Sequence, residues 1–104
     1  MIVAIIIIII IAVILFKVMK NSTQNNEINN LTQLANQGDS GAQYQLGYYY
    51  FTEVKDIDQA VYWICLSEYN GNEQATYFLQ RMIEVGVPRI YERIENARTQ
   101  IGIN

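Results

Sequence analysis

Asp56 and Asp58 stand one residue apart, and Cys65 follows them in the same stretch. In a chain of 104 residues these are the side chains whose types could do chemistry. Paired carboxylates serve acid–base work or a metal, and a thiol serves nucleophilic attack. The rest of the composition argues against each. There is no histidine, so the commonest general base and metal ligand is missing. A single cysteine permits neither an internal disulfide framework nor a cysteine-based zinc site within one chain. No phosphate-cradling glycine loop, nucleophile motif or zinc motif is found. Both aspartates precede an apolar-periodic stretch, where carboxylates cap a helix and complement its dipole. Cys65 lies inside that stretch without a cation close in sequence, and reads as a small buried apolar residue. The expectation is a protein that is not an enzyme and holds no cofactor or metal.

What remains is chemistry of recognition. The chain has eight tyrosines and one tryptophan, residue types common among interface anchors. Tyr44 and Tyr48 are one helical turn apart, and Tyr77 repeats Tyr44 further on. They are expected to form an exposed protein-binding stripe along the first helices of successive hairpins. The competing expectation is that these rings fill gaps between hairpins. Residues 21–104 carry 5 basic and 10 acidic side chains, a formal charge of −5. That balance repels phosphate backbones, so no nucleic-acid partner is expected. Arg89, Arg93 and Arg98 alternate with Glu92 and Glu95 at helical spacing, the pattern of a solvated face. A less favoured alternative has Arg89 and Arg93 meeting anionic lipid or an acidic partner.

The elements that would position these residues begin with an apolar head. Residues 1–16 contain no polar side chain, and Val18 and Met19 extend the run past Lys17. About 18 residues at about 1.5 Å rise give a helix of roughly 27 Å, close to the bilayer hydrocarbon thickness. A cleaved signal peptide would need a basic start and a small-residue cleavage site, and neither is present. A buried soluble helix would show flanking polar rhythm. A permanent single-pass anchor fits best, held in lipid through residues 2–19, with Lys17 reaching the headgroups. Lys17 and Lys20 lie on the C-terminal flank, so the positive-inside bias favours a cytoplasmic tail, the alternative being periplasmic.

Residues 21–26 are polar and aperiodic, and read as a linker. Beyond them helix follows helix. Ile28, Leu31, Leu34 and Ala35 share a face, and Gly38 stands at a C-terminal cap position. Asp39 and Ser40 can cap a second helix through Ala42, Leu46 and Tyr50 to about Phe51. Asp56 and Asp58 offer caps for a third, carrying Ala60, Val61, Ile64 and Cys65 and closing at Gly71. Asn72 starts a fourth, ending at Gly86. Pro88 suits the first turn of a fifth, in which Ile90, Ile94, Ala97 and Ile101 form one stripe. The Tyr48–Phe51 cluster has strand propensity inside a helical frame, which is expected to override it. Connections of about two to six residues make consecutive helices antiparallel neighbours.

Self-comparison shows a repeat. Gly38, Ala42, Tyr44 and Leu46 recur 33 residues later as Gly71, Ala75, Tyr77 and Leu79, and Asp39 matches Asn72 as a capping type. A small residue at Ala42 or Ala75 allows close helix approach, and Leu46 or Leu79 fills the adjoining groove. Such units bury their apolar faces only by stacking. Over these residues the chain resembles the Sel1-like repeat family, which is related to tetratricopeptide repeats. Ala35 and Gly38 lead, followed by Ala42-Gln43, Leu46-Gly47 and Tyr50, then Asp56, Ala60 and Trp63, with Gly71 closing the unit. The second unit keeps Gly71, Ala75 and Leu79 but has Gln80 in the place of Gly47. The family's Gly-x-Gly-Val loop is replaced by Thr52-Glu53-Val54-Lys55, about three residues shorter.

The resemblance implies an all-α fold, a short α-solenoid of helical hairpins, with Ala42, Leu46, Gly47, Tyr50, Ala60, Trp63, Gly71, Ala75 and Leu79 as its repeat core. It also implies protein–protein interaction without catalytic residues. The domain expectation is an anchor over 1–20, a polar linker over 21–26 and a repeat domain over 27–104. The functional expectation is a membrane-tethered adaptor. A bacterial source suits the family, and by analogy a narrower version is a small immunity-type protein. The alternative is a membrane-active small protein whose isoleucine-rich helix acts on the bilayer, although small-xxx-small spacing is weak in it. The fifth helix would suit an end cap, or Ile101 and Ile103 would dock a second copy, leaving dimerisation open.

Overall fold

In the computed structural model, five α-helices and one π-helical turn follow one another in the order α1 Ile2–Asn36, α2 Ser40–Tyr49, π-turn Tyr50–Val54, α3 Ile57–Tyr69, α4 Glu73–Glu84 and α5 Ile90–Ile101. The structure describes residues 1–103, with the backbone alone at residues 20–23. The expected roles of the Lys20 side chain and of the linker side chains at 21–23 therefore lie outside the described residues. No strand occurs among the described residues, so the Tyr48–Phe51 cluster is helical despite its β propensity.

The chain divides into two compact units, Met1–Asn30 and Leu31–Asn104. In the first unit the backbone of α1 is helical throughout, including residues 21–26, which the polar composition marked as a linker. These residues, Asn-Ser-Thr-Gln-Asn-Asn, are mostly weak helix formers, so the helix continues through them by elongation from the turns on either side, which needs no new nucleus. An 18-residue window in this helix has a mean hydropathy of 3.4, and none of its residues is buried within the protein. It is long and apolar enough to cross a membrane.

The second unit is bounded by helix ends of one kind. Gly38, Gly71, Gly86 and Gly102 all adopt positive φ, from 76° to 98°. At each, the amide one residue further on bonds back across the last turn: Asp39 N–H to Leu34 O, Asn72 to Ser67, Val87 to Met82 and Ile103 to Arg98. These are Schellman closures, which satisfy carbonyls the helix would otherwise leave unpaired. The starts are equally regular. Asp39, Asp56 and Asn72 accept hydrogen bonds from the amides of Ala42, Gln59 and Ala75, at 2.9, 3.1 and 3.2 Å. Asp39 and Asn72 thus do the same work 33 residues apart.

Asp58 does not cap α3 as expected. It lies in the first turn and forms an ion pair with Arg93 of α5. Pro88 precedes α5 rather than opening it, and the next residue, Arg89, takes a left-handed conformation at φ 58°.

Helix α3 is the centre of this unit, because α2, α4 and α5 all lie against it. Its Ala60, Val61, Ile64 and Cys65 are buried in one cluster with Ala75, Leu79, Met82, Ile90 and Ala97. Helix α2 runs antiparallel to α3, its Ser40 end beside Ser67 and its Gly47 beside Ala60 and Ile64. A Cβ on Gly47 would fall 2.6 Å from Ile64 side-chain atoms and 3.2 Å from the Ala60 carbonyl oxygen. Glycine is what lets these two backbones come so close.

The second pair behaves differently. Helices α4 and α5 meet over only a few residues, and each sits on α3 instead. Pairing of consecutive helices therefore holds for α2 with α3 and for α3 with α4, and is slight for α4 with α5. Gln80, at the register of Gly47, is exposed, so no small residue creates a close crossing there. The stripe on α5 turns to α3, burying Ile90 and Ala97 and half-burying Ile94 and Ile101.

Candidate interaction surface

Phe78 of α4 gathers three rings from α2 and the π-turn. Its ring centroid lies 6.1 Å from Tyr44, 6.1 Å from Tyr48 and 5.4 Å from Phe51, each edge-to-face. That geometry places the positive edge of one ring against the negative face of another. The local cause is periodicity. Tyr44 and Tyr48 lie one turn apart on α2, and the π-turn carries Phe51 round to the same side.

Exposure separates the three tyrosines expected to form a stripe. Tyr44 is half-buried and packs against the core, while Tyr48 is 51 % and Tyr77 65 % exposed. Tyr44 and Tyr48 are brought together through Phe78. Tyr77, its neighbour on α4, makes no ring contact among the described residues. The result is a cluster with a filled base of Tyr44, Phe51 and Phe78, flanked by two exposed phenol rings. Tyr44 fills a gap between helices, and Tyr48 and Tyr77 reach solvent.

Of the expected repeat core, Ala42, Leu46, Gly47, Ala60, Trp63, Ala75 and Leu79 are buried. Tyr50 is half-buried at the start of the π-turn, against the core cluster. Gly71 is exposed and works as a helix terminator rather than as packing. The Trp63 ring lies edge-to-face on Tyr62, with centroids 5.1 Å apart.

Two residues that hold the surface in place were not among the expected site residues. Phe78 is one. Gln43 is the other, a buried amide with both ends used: its Nε2 donates to Ala35 O at 3.0 Å, and its Oε1 accepts from Asn70 Nδ2 at 2.9 Å. Ser67 Oγ donates to Ser40 O at 2.7 Å beside it. These bonds tie the end of α1 and the start of α2 to the end of α3, fixing the helix that carries Tyr44 and Tyr48. The Ala42-Gln43 pair marked the position. Its partner Asn70, 27 residues away, had no local signal.

The groups that could have supplied chemistry are occupied structurally. Burial pushes the Cys65 thiol up to about 11, with Glu68 adding to the effect and Arg98 opposing it. It is a protonated core group at neutral pH. Asp56 caps α3, and Asp58 pairs with Arg93. Arg89 forms a two-pronged pair with Glu92, which holds that carboxyl below the usual carboxylate range, and Arg98 lies 3.7 Å from Glu68. Arg89 and Arg93 are thus already engaged by carboxylates of this chain. Among the described residues no group of three or more histidine, cysteine, aspartate or glutamate side chains is arranged to hold a metal ion.

No family model, curated protein or solved structure matches this chain.

Proposed function

We propose that the chain is a membrane-tethered protein-interaction module, with α1 crossing the bilayer and the helices from Leu31 onward forming a short solenoid of Sel1-like repeats. The observation that carries this reading is the exposure of Tyr48 and Tyr77 beside a ring cluster held by packed helices. Rigid aromatic side chains with a polar tip bury large area on binding at low entropic cost, which makes them effective anchors. The equivalent caps at Asp39 and Asn72 and the tight Gly47 crossing support the repeat assignment. The apolar window of α1 supports the tether, and Lys17 on its C-terminal side supports a cytoplasmic position for the helical unit. Confinement to a membrane raises the effective concentration of a surface this small near a membrane partner.

The test is photo-crosslinking of the full chain in native membranes, comparing wild type with Tyr48→Ser/Tyr77→Ser. Loss of a discrete crosslinked protein, with helicity retained, is the expected result. An unchanged crosslinking pattern in the double variant would reject this surface. Expression of residues 1–26 alone separates the bilayer-acting alternative, which predicts leakage from that fragment.

A further inference from the structure

Helix α5 has two flanks beside its buried stripe, and they differ in kind. On one, Asp58 and Gln59 of α3 face Arg93, Asn96 and Gln100 across a polar groove of about 400 Å³ whose charges are already paired. On the other, Tyr91, Ile94 and Ile103 line an open hollow of about 390 Å³, with Glu95 and Arg98 at its edge. Tyr91 is 71 % exposed there. Glu95 is exposed and forms no ion pair among the described residues, and Arg98 touches Glu68 only at 3.7 Å, with half of its side chain in solvent. This flank therefore presents an apolar floor, one free carboxylate and one loosely held guanidinium, three residues apart on the same helix.

We infer that this flank of α5 docks a second copy of the same chain, α5 against α5 in antiparallel sense. The argument is self-complementarity. A two-fold interface brings one patch against itself, so each charge must find its opposite at the mirrored position. With the axis passing between residues 95 and 98, Glu95 of one copy meets Arg98 of the other, twice over, while Tyr91, Ile94 and Ile103 of both copies are covered. A foreign partner would need a matching charge pair of its own; a second copy carries it already. A helix of 12 residues is only about 18 Å long. One such face is smaller than the roughly 800 Å² per partner of a standard stable interface, so the pairing is weak in dilute solution and depends on crowding in the membrane plane.

Full-length chains fused to donor or acceptor fluorescent proteins, reconstituted together in phosphatidylcholine vesicles, test this by energy transfer. Wild type is expected to transfer above the level of random mixing. Glu95→Arg alone and Arg98→Glu alone each lose that transfer, because like charges then oppose across the axis. Mixing the two single variants restores it, since every facing pair is again opposite in sign, and this recovery also shows that both variants are folded. Transfer at the random level in wild type, transfer that survives Glu95→Arg, or failure of the mixed variants to recover would each overturn the inference. Survival would place the contact elsewhere, such as on the isoleucine-rich helix. The tyrosine surface on α2 and α4 takes no part, so Tyr48→Ser/Tyr77→Ser leaves the energy transfer intact.

Discussion

Cys65 shows how burial sets the chemistry of a single side chain. The unfolded thiol titrates near 9 and the folded one near 11. Between these values the unfolded chain has lost a proton that the folded chain keeps, so stability falls as pH rises from about 9 to about 11. Chemical denaturation of wild type and Cys65→Ala across that range is expected to diverge, with the steeper decline in wild type. Modification of the thiol by a disulfide reagent at pH 8 should be slow in the native protein and fast once it is unfolded. Gly47 is the second residue that decides something alone. Gly47→Ala gains about 1 kcal/mol of helix propensity but drives a methyl group into Ile64 and towards the Ala60 carbonyl, at a cost of about 1–3 kcal/mol. A net loss of about 1 kcal/mol in urea unfolding is expected, and a larger one for Gly47→Val. Ile64→Val should relieve part of it, so that the double variant loses less than the sum of the singles.

At the scale of elements, the helix boundaries follow from local rules that repeat. Asp39 and Asn72 cap α2 and α4 through the same contact, so Asp39→Ala and Asn72→Ala are each expected to cost about 1 kcal/mol. Thermal unfolding followed by circular dichroism would measure both. Gln43 is a different kind of determinant, because it joins elements instead of ending one. Gln43→Ala leaves Asn70 Nδ2 without its acceptor and removes one donor from the Ala35 carbonyl, for a loss of about 1–3 kcal/mol. Hydrogen exchange should report it first as faster exchange at the start of α2 and the end of α3. The caps, the closing glycines and the α5 stripe were legible in the sequence because each depends on a few neighbouring residues. The helical course of residues 21–26 was not, because a polar segment without a stripe gives no periodic signal in either direction.

At the scale of the whole molecule, the two units differ in how much apolar surface they leave uncovered. An exposed helix of mean hydropathy 3.4 is soluble only if lipid or protein covers it. Wild type is expected to remain with membranes after alkaline carbonate extraction, whereas deletion of residues 2–19 should release the chain into the supernatant. If wild type itself were released, the tether would be disproved. Within the helical unit, the sequence suggested that each helix would pair with the next, and the structure packs α2, α4 and α5 on α3 while α4 and α5 meet over only a few residues. Local signals could not decide this, since Gln80 says only that a close crossing is absent and not where α5 goes instead. The amino-acid sequence by itself determined the apolar helix, the all-helical class, the caps and the burial of Leu46, Trp63 and Cys65, because propensity, periodicity and hydrophobicity act over a few residues. Only the tertiary structure decided that Phe78 would gather Tyr44, Tyr48 and Phe51, that Gln43 would find Asn70, that Asp58 would pair with Arg93, and that Tyr77 would be left in solvent. Those contacts join residues from about 25 to 35 positions apart, where the packing of helices onto α3, and no local rule, fixes which side chains meet.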